Sequence, residues 1–383
     1  MRRSFFQYFA GTFFFWFSQY VYVPILPTYL KDLGCPLPMI GIILGSYGVS
    51  QFFLRIPLGF WSDRKKVFKP FLLAGIGCCG LSCLGFALFP SAWVYLWARA
   101  LSGVAAAFWV IFTVFFASFF PHGETSKAMG QLVFCMAGAL LVSTIFGGWL
   151  AEHYGYRSPF WIGAIGALIG LVSLMWLKEK EVEVDTSRMT LKKLRQIAAS
   201  PELIAISIAG AGLYFNAFAT TYGFVPILAA NLGSNKTQLG ILTALNLGAY
   251  SLASFFIGTK SLKLITERFV VILAFLVIAV TSLTLPLACN LSVLYLNQVI
   301  HGTGRGIAYA ILMGSVLRVV SSGERATAMG IFQSIYSIGI FTGPIVGGWV
   351  GSFWGVDGIF MVSGLSALVV IPLLWKMKIS RRD

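Results

Sequence analysis

The chain has 383 residues, 58% of them hydrophobic and only 11% charged, with 41 glycines and a formal net charge of +15. Soluble domains carry about 25% charged residues. The composition therefore excludes an ordinary soluble enzyme, a disordered chain and a nucleic-acid-binding domain.

Twelve apolar runs follow in chain order: residues 5–30, 39–62, 70–90, 92–120, 128–151, 160–177, 203–232, 239–259, 269–288, 293–319, 326–352 and 358–377. A helix that crosses a bilayer needs about 20 mostly apolar residues. Only helices and closed barrels pair every backbone group in lipid. Barrel strands alternate in polarity over about 10 residues, whereas these runs are continuous. The expected fold is an all-α integral membrane protein with twelve transmembrane helices. Arg2 and Arg3 before the first run mimic a signal peptide. No small-residue cleavage site follows them, so the run reads as a retained helix.

Twelve crossings put both termini on one side. Of the 28 basic residues, only Lys31, Arg157 and Lys236 fall in the opposite connections, and Arg55, Arg99 and Arg305 fall inside runs. The remaining 22 lie on the side of the termini. The positive-inside rule makes that side cytoplasmic. The connections are short, and the minimal loops and tails point to a bacterial inner membrane. Cys79 and Cys83, four apart, would suit a metal by spacing, but no histidine or acid lies near them. Packing between helices is the better reading.

The chain repeats itself. Val23-Pro24-Ile25-Leu26 recurs as Val225-Pro226-Ile227-Leu228, Ala128-Met129-Gly130 as Ala328-Met329-Gly330, and Gly147-Gly148-Trp149 as Gly347-Gly348-Trp349. Ordered matches at nearly one offset mean duplication. The expected domains are a six-helix bundle over 1–177, a cytoplasmic loop over 178–200 and a second bundle over 201–383. Such parallel repeats are known from transporters, where two bundles rock about a site at their interface.

After the second run comes Gly59-Phe60-Trp61-Ser62-Asp63-Arg64-Lys65-Lys66. It resembles the signature that the major facilitator superfamily carries between its second and third helices. Arg99-Ala100-Leu101-Ser102-Gly103 in the fourth run is similar to that family's Arg-x-x-x-Gly pattern. Gly339-x-x-x-Gly343-Pro344-x-x-Gly347-Gly348 in the eleventh resembles its antiporter motif, usually found in the fifth. The fifth run has Ser143 and Thr144 at the corresponding places. The resemblance implies two pseudo-symmetric six-helix bundles around a central cavity, lined by spans one, four, seven and ten. It also implies that Gly59, Asp63 and Arg64 take part in a cytoplasmic gate, Asp63 capping a facing helix. Arg99 would join a polar network linked to coupling. Gly343 and Pro344 would act in conformational change, or would serve simple tight packing.

All thirteen acids fall outside the depths of the spans, whereas three arginines lie within them. An intramembrane arginine is expensive and usually functional. Gln298, His301 and Arg305 share one face of the tenth span at spacings i, i+3, i+7. Tyr47, Gln51 and Arg55 form a second stripe in the second span. Gln19, Asn216, Asn246 and Gln333 are further candidates for substrate contact. Each buried arginine or amide has a structural alternative, bonding to backbone or to a neighbouring helix. The aromatic residues read as lipid-facing or packing.

Deep cations without deep acids suggest an organic anion, or an amphipathic molecule with an anionic group. The expected function is secondary transport by alternating access, with proton-coupled export suggested by the motif in span eleven. His301 is the proton-site candidate because imidazole titrates in the physiological range. Uptake or uniport of a sugar, amino acid or other metabolite, lipid flipping and a non-transporting receptor are the alternatives. No phosphate loop, His-Glu-x-x-His or Gly-x-Ser-x-Gly is present, so no enzyme, cofactor or metal is expected. The expected partners are a small-molecule substrate, a proton or other ion gradient and the bilayer, with the chain acting as a monomer.

Overall fold

The computed structural model describes residues 2–65, 68–117, 119, 125–177, 191–259, 267–320 and 324–376. Among the described residues the regular structure is helical. α1 (Arg2–Tyr20) and α2 (Leu26–Asp32) make the first crossing, α3 (Leu37–Lys65) the second and α4 (Lys69–Leu88) the third. α5 (Ala92–Ala107) and α6 (Trp109–Ala117) share the fourth; α7 (Thr125–Tyr154) and α8 (Ser158–Met175) are the fifth and sixth. The amphipathic α9 (Leu191–Ala198) leads into the second half. There α10 (Pro201–Ala219), a π-helical turn (Thr220–Phe224) and α11 (Val225–Asn231) form the seventh crossing. α12 (Lys236–Thr259), α13 (Glu267–Leu283) and α14 (Leu291–Val319) are the eighth, ninth and tenth.

α15 (Arg325–Lys376) has 52 residues, about 78 Å of helix at 1.5 Å per residue. That is more than twice the roughly 30 Å of bilayer hydrocarbon. Its dihedrals leave the helical region at Gly355 (φ 70°, ψ −175°), which a residue without a Cβ adopts readily. The eleventh crossing therefore turns back there into the twelfth. By length and apolarity alone, 8 helical stretches qualify to cross a membrane, and one of them is the double-length 327–375. α14 is diluted by Asn297, Gln298, His301 and Arg305. Exposed Trp93 and Trp354 lie at the end of the bundle remote from the termini, and exposed Trp176 and Trp375 at the other. Indole rings favour the two membrane–water interfaces in this way.

The repeated letters sit at repeated joints. Val23-Pro24-Ile25-Leu26 and Val225-Pro226-Ile227-Leu228 mark the breaks of the first and seventh crossings, where the helix loosens into turns or π geometry. Proline removes a backbone donor at each. A Cβ on Gly147 would run into the Val21 carbonyl oxygen, and one on Gly347 would lie 2.9 Å from the Phe224 ring. The first glycine of each pair thus packs against the break in its own half.

The second glycine reaches across. A Cβ on Gly148 would meet the Lys236 carbonyl oxygen at 2.5 Å, and one on Gly348 would strike that of Leu37. Gly41 and Gly240 are equally tight against Pro344 and Thr144 of the opposite half. So α3 closes on α15, and α7 on α12, near the end remote from the termini. Polar contacts complete that seal. Lys31 Nζ donates to Asn231 Oδ1 at 3.0 Å, and the Lys236 amide donates to Glu152 Oε2 at 2.7 Å.

The thiols pack. Cys83 Sγ lies 3.4 Å from the Ser18 carbonyl oxygen and Cys79 Sγ 3.9 Å from that of Phe15, both on α1. Residues 13–17 are likewise packing residues, with Phe15 against Phe112 at 4.6 Å and Trp16 against Trp109 at 5.0 Å.

Overpacking a close-packed contact costs about 1–3 kcal/mol or more. Gly147→Val, within one half, is expected to lower the melting temperature of the detergent-solubilised protein. Gly41→Val, between halves, is expected instead to raise the labelling rate of a reporter cysteine placed at Leu37. Equal melting losses with unchanged labelling would contradict that division.

Candidate functional site

α14 brings the predicted stripe into one buried network. Gln298, His301 and Arg305 are all buried, as are Asn216 and Asn246, which face them from α10 and α12. Arg305 Nη1 donates to Asn246 Oδ1 at 2.8 Å, and Nη2 lies 3.4 Å from the Tyr222 hydroxyl. Asn246 Nδ2 donates to the Gln298 carbonyl oxygen at 2.9 Å and lies 3.3 Å from His301 Nδ1. His301 Nε2 bonds Asn216 Oδ1 at 2.8 Å. Thr221 Oγ1 donates to Gln298 Oε1 at 3.1 Å. Burial of so many polar atoms is tolerable only because each finds a partner.

The first half holds a smaller counterpart. Arg99 Nη1 donates to the Tyr22 hydroxyl at 3.2 Å and lies 3.5 Å from Ser102 Oγ. Gln19 donates from Nε2 to the Ser102 carbonyl oxygen at 3.0 Å and accepts from Ser102 Oγ. Arg55 spans the halves: Nη1 donates to the Gln333 carbonyl oxygen of α15 at 3.1 Å, and Nη2 donates to Gln51 Oε1. The Nε atoms of Arg55 and Arg99 and Oε1 of Gln333 are buried with no hydrogen-bond partner.

Aromatic rings join the three guanidiniums into one belt. Arg99 stands over Tyr47 at 4.3 Å, and Tyr47 stacks on Phe218 at 6.0 Å. Phe218 contacts Tyr222 at 5.0 Å. Arg305 stands 5.2 Å from both the Tyr222 and Tyr250 rings. Tyr250 leads through Tyr309 to Tyr214, at 5.8 and 6.0 Å, and Tyr214 stacks on Tyr336 at 4.1 Å. Arg55 stands 5.1 Å from the Tyr336 ring. Tyr20 and Tyr222, one from each half, meet at 6.1 Å. Cations over ring faces gain about 0.5–2 kcal/mol, more when desolvated. Tyr20, Tyr214, Tyr250, Tyr309 and Gln333 are half-buried.

The structure thus gathers Arg305, His301, Gln298, Asn246 and Asn216 into one network. It places Gln19 and Arg99 in a second, and Arg55 with Gln333 at a contact between halves. Asn216 is in part a helix-to-helix bonder, since its Nδ2 donates to Ser282 Oγ and the Ser363 carbonyl oxygen, both at 2.9 Å. Gly343 approaches the Phe215 carbonyl oxygen of α10, and Pro344 offers its own carbonyl to the surface of Gly41. The side chains of Asp63 and Arg64 and the surroundings of Gly59 lie outside the described ones. Apart from Tyr47, the tyrosines are what sequence reasoning missed. Their mid-span positions, where phenylalanine would suffice for lipid, were the available signal: a phenol there needs a polar partner.

The profile of the Major Facilitator Superfamily matches this chain twice, over residues 8–222 and 206–382. The inner membrane transport protein YajR of Escherichia coli is 23% identical over 94% of this chain and 80% of its own length. The multidrug resistance protein MdtG of Escherichia fergusonii is 25% identical over 94% of this chain and 91% of its own. Among solved structures, a bacterial homologue of the human lysosomal transporter Spinster, inward-facing and occupied, superposes with a TM-score of 0.80. It is 15% identical, with 97% of this chain and 95% of that one covered. The duplicated helical halves, the apolar crossings and the double match agree: this protein belongs to the Major Facilitator Superfamily, and is a multi-pass membrane transporter rather than an enzyme.

Proposed function

We propose that the protein carries a small organic anion by alternating access, with residues 1–177 and 201–383 as the two moving bodies and 178–200 as their link. The carrying observation is the belt itself. It bears Arg55, Arg99 and Arg305 on tyrosine faces, and no carboxylate of the described residues stands on it. Guanidinium recognises carboxylate, sulfonate or phosphate through paired donors. Phenol rings receive the apolar body of an amphipathic or aromatic anion. Arg305, His301, Gln298 and Asn246 form the recognition group of the second half, with Gln19, Asn216, Gln333 and Arg55 around it. Arg99 supplies the cation of the first half.

In the orientation given by the positive-inside rule, the glycine seal lies on the outer face and the belt is reached from the cytoplasm. Pro344 belongs to that seal, Gly343 to the packing of α15 on α10 that moves with it, and Gly59, Asp63 and Arg64 to the opposite gate. His301 is the proton site and a bacterial inner membrane the location; the unit is a monomer. Export in exchange for protons is a second reading. It is favoured by the likeness to MdtG and by the Gly343-Pro344 motif.

A ligand that binds only the folded state stabilises it by about 2.7 kcal/mol at one hundred times its Kd. In a thermal-shift panel of organic anions, organic cations, sugars and lysolipids, anions are expected to raise the midpoint of wild type and not of Arg305→Ala. Equal stabilisation of both proteins by cations or sugars would sink the anion reading. In proteoliposomes, His301→Gln is expected to remove the dependence of transport on a pH gradient. Full retention of that dependence would exclude His301 as the proton site.

A further inference from the structure

One carboxamide serves two groups of the site. Asn246 Oδ1 accepts from Arg305 Nη1 at 2.8 Å. A guanidinium can only donate, so the oxygen faces Arg305 and the NH2 group faces away. That NH2 group donates to the Gln298 carbonyl oxygen at 2.9 Å and lies between Gln298 Oε1 at 3.2 Å and His301 Nδ1 at 3.3 Å. Across the ring, Asn216 gives its NH2 group to the Ser363 carbonyl oxygen at 2.9 Å, which leaves its Oδ1 for His301 Nε2 at 2.8 Å. A carbonyl only accepts, so the chain of donors fixes the tautomer. Nε2 carries the hydrogen and Nδ1 is bare.

A second proton on His301 would therefore meet a donor. The other polar atom near Nδ1, Thr221 Oγ1, donates to Gln298 and could accept the proton only at 3.5 Å, the long limit of a hydrogen bond. Turning the Asn246 carboxamide over would offer its oxygen to the imidazolium. The same turn would give up the bond to the Gln298 carbonyl oxygen and point the NH2 group at Arg305, which cannot accept. The oxygen can serve Arg305 or a protonated His301, not both.

We infer that Asn246 is a positioning residue that makes proton binding at His301 and anion binding at Arg305 mutually favourable. Protonation turns the carboxamide, and Arg305 loses its internal acceptor while keeping its place over Tyr222 and Tyr250. Its freed Nη1 then binds the anion. The charge balances as one proton on the imidazole for one negative charge at the guanidinium. Asn246 joins the imidazole to Arg305 on its own helix, and the Arg305 guanidinium stands over Tyr222 on the π turn and Tyr250 on α12. Asn216, Thr221 and Asn246 are the uncharged neighbours of the imidazole. No carboxylate among the described residues bonds this group, so two adjacent cations persist only with an anion between them. Coupling of this kind is reciprocal. Proton and anion then occupy the same state and travel together, instead of exchanging for one another. The inference rests on the anion reading above.

The test uses the full chain in detergent and naphthalene-2-sulfonate, whose charge is constant between pH 5.5 and pH 8. In wild type its affinity is expected to rise as pH falls, by up to about tenfold per unit, the limit for one linked proton. In His301→Gln the affinity should be flat with pH. In Asn246→Ala, where nothing holds Arg305 back, binding at pH 8 should be about tenfold tighter than in wild type. A residue that merely packs would weaken binding when removed. Asn246→Asp, whose carboxylate holds both cations at once, should lose binding at every pH, and it serves if the alanine variant does not fold. The switch is overturned if wild-type affinity is flat or falls on acidification while Arg305→Ala still abolishes binding. It is equally overturned if Asn246→Ala binds more weakly at pH 8, or if Asn246→Asp keeps the wild-type pH response. Should neither this sulfonate nor any other anion of the panel bind at any pH, the anion reading fails along with it.

Discussion

A guanidinium cannot shed its charge, and in the middle of a bilayer it cannot reach bulk water. Arg305 meets that constraint with an amide oxygen and two phenol rings rather than with a carboxylate. A buried ion pair would have neutralised the site, and desolvating both partners would have been costly. Amides and ring faces satisfy the donors of the guanidinium but leave its net charge uncompensated. The arrangement of Asn246, His301 and Asn216 follows from holding that charge, because each amide must then point one fixed way. The same economy recurs at Arg99, held by Tyr22, Ser102 and the face of Tyr47.

The duplication supplies the geometry around this charge. Each half has a break in its first crossing and a glycine pair whose first member packs on the break and whose second reaches the opposite half. The repeated Gly-Gly-Trp thus does two jobs at once, one within a bundle and one between bundles. Backbone-to-backbone contact of this kind would let the two surfaces separate without withdrawing interdigitated side chains. The halves are not equal chemically. The second carries the long amide and imidazole network, and the first carries a short one around Gln19 and Ser102.

Most of the fold was legible because hydrophobic run length and charge asymmetry respond directly to the bilayer. The Gln298, His301 and Arg305 stripe was legible because helical periodicity alone puts those residues on one face. Gln19 and Asn216 were visible as buried amides, but not which helix each would bond. The tyrosines other than Tyr47 were passed over, and the partner of Tyr47 was not foreseen, because an aromatic residue in an apolar helix faces lipid or protein equally well by composition. Only a neighbour decides between them, and for Tyr47, Tyr222 and Tyr250 the neighbour is an arginine on another helix.

By itself the sequence determined a twelve-crossing helical protein, its internal repeat, its family signature and the three intramembrane cations. These depend on local properties: run length, helical period and the identity of single residues. Only the tertiary structure decided that the three arginines share one aromatic belt and that the glycine pairs close one end of the bundle. Only it decided that one asparagine divides its two polar atoms between an arginine and a histidine. Those facts join residues tens to hundreds of positions apart, and hydrogen-bond direction and ring contact exist only once the helices have packed.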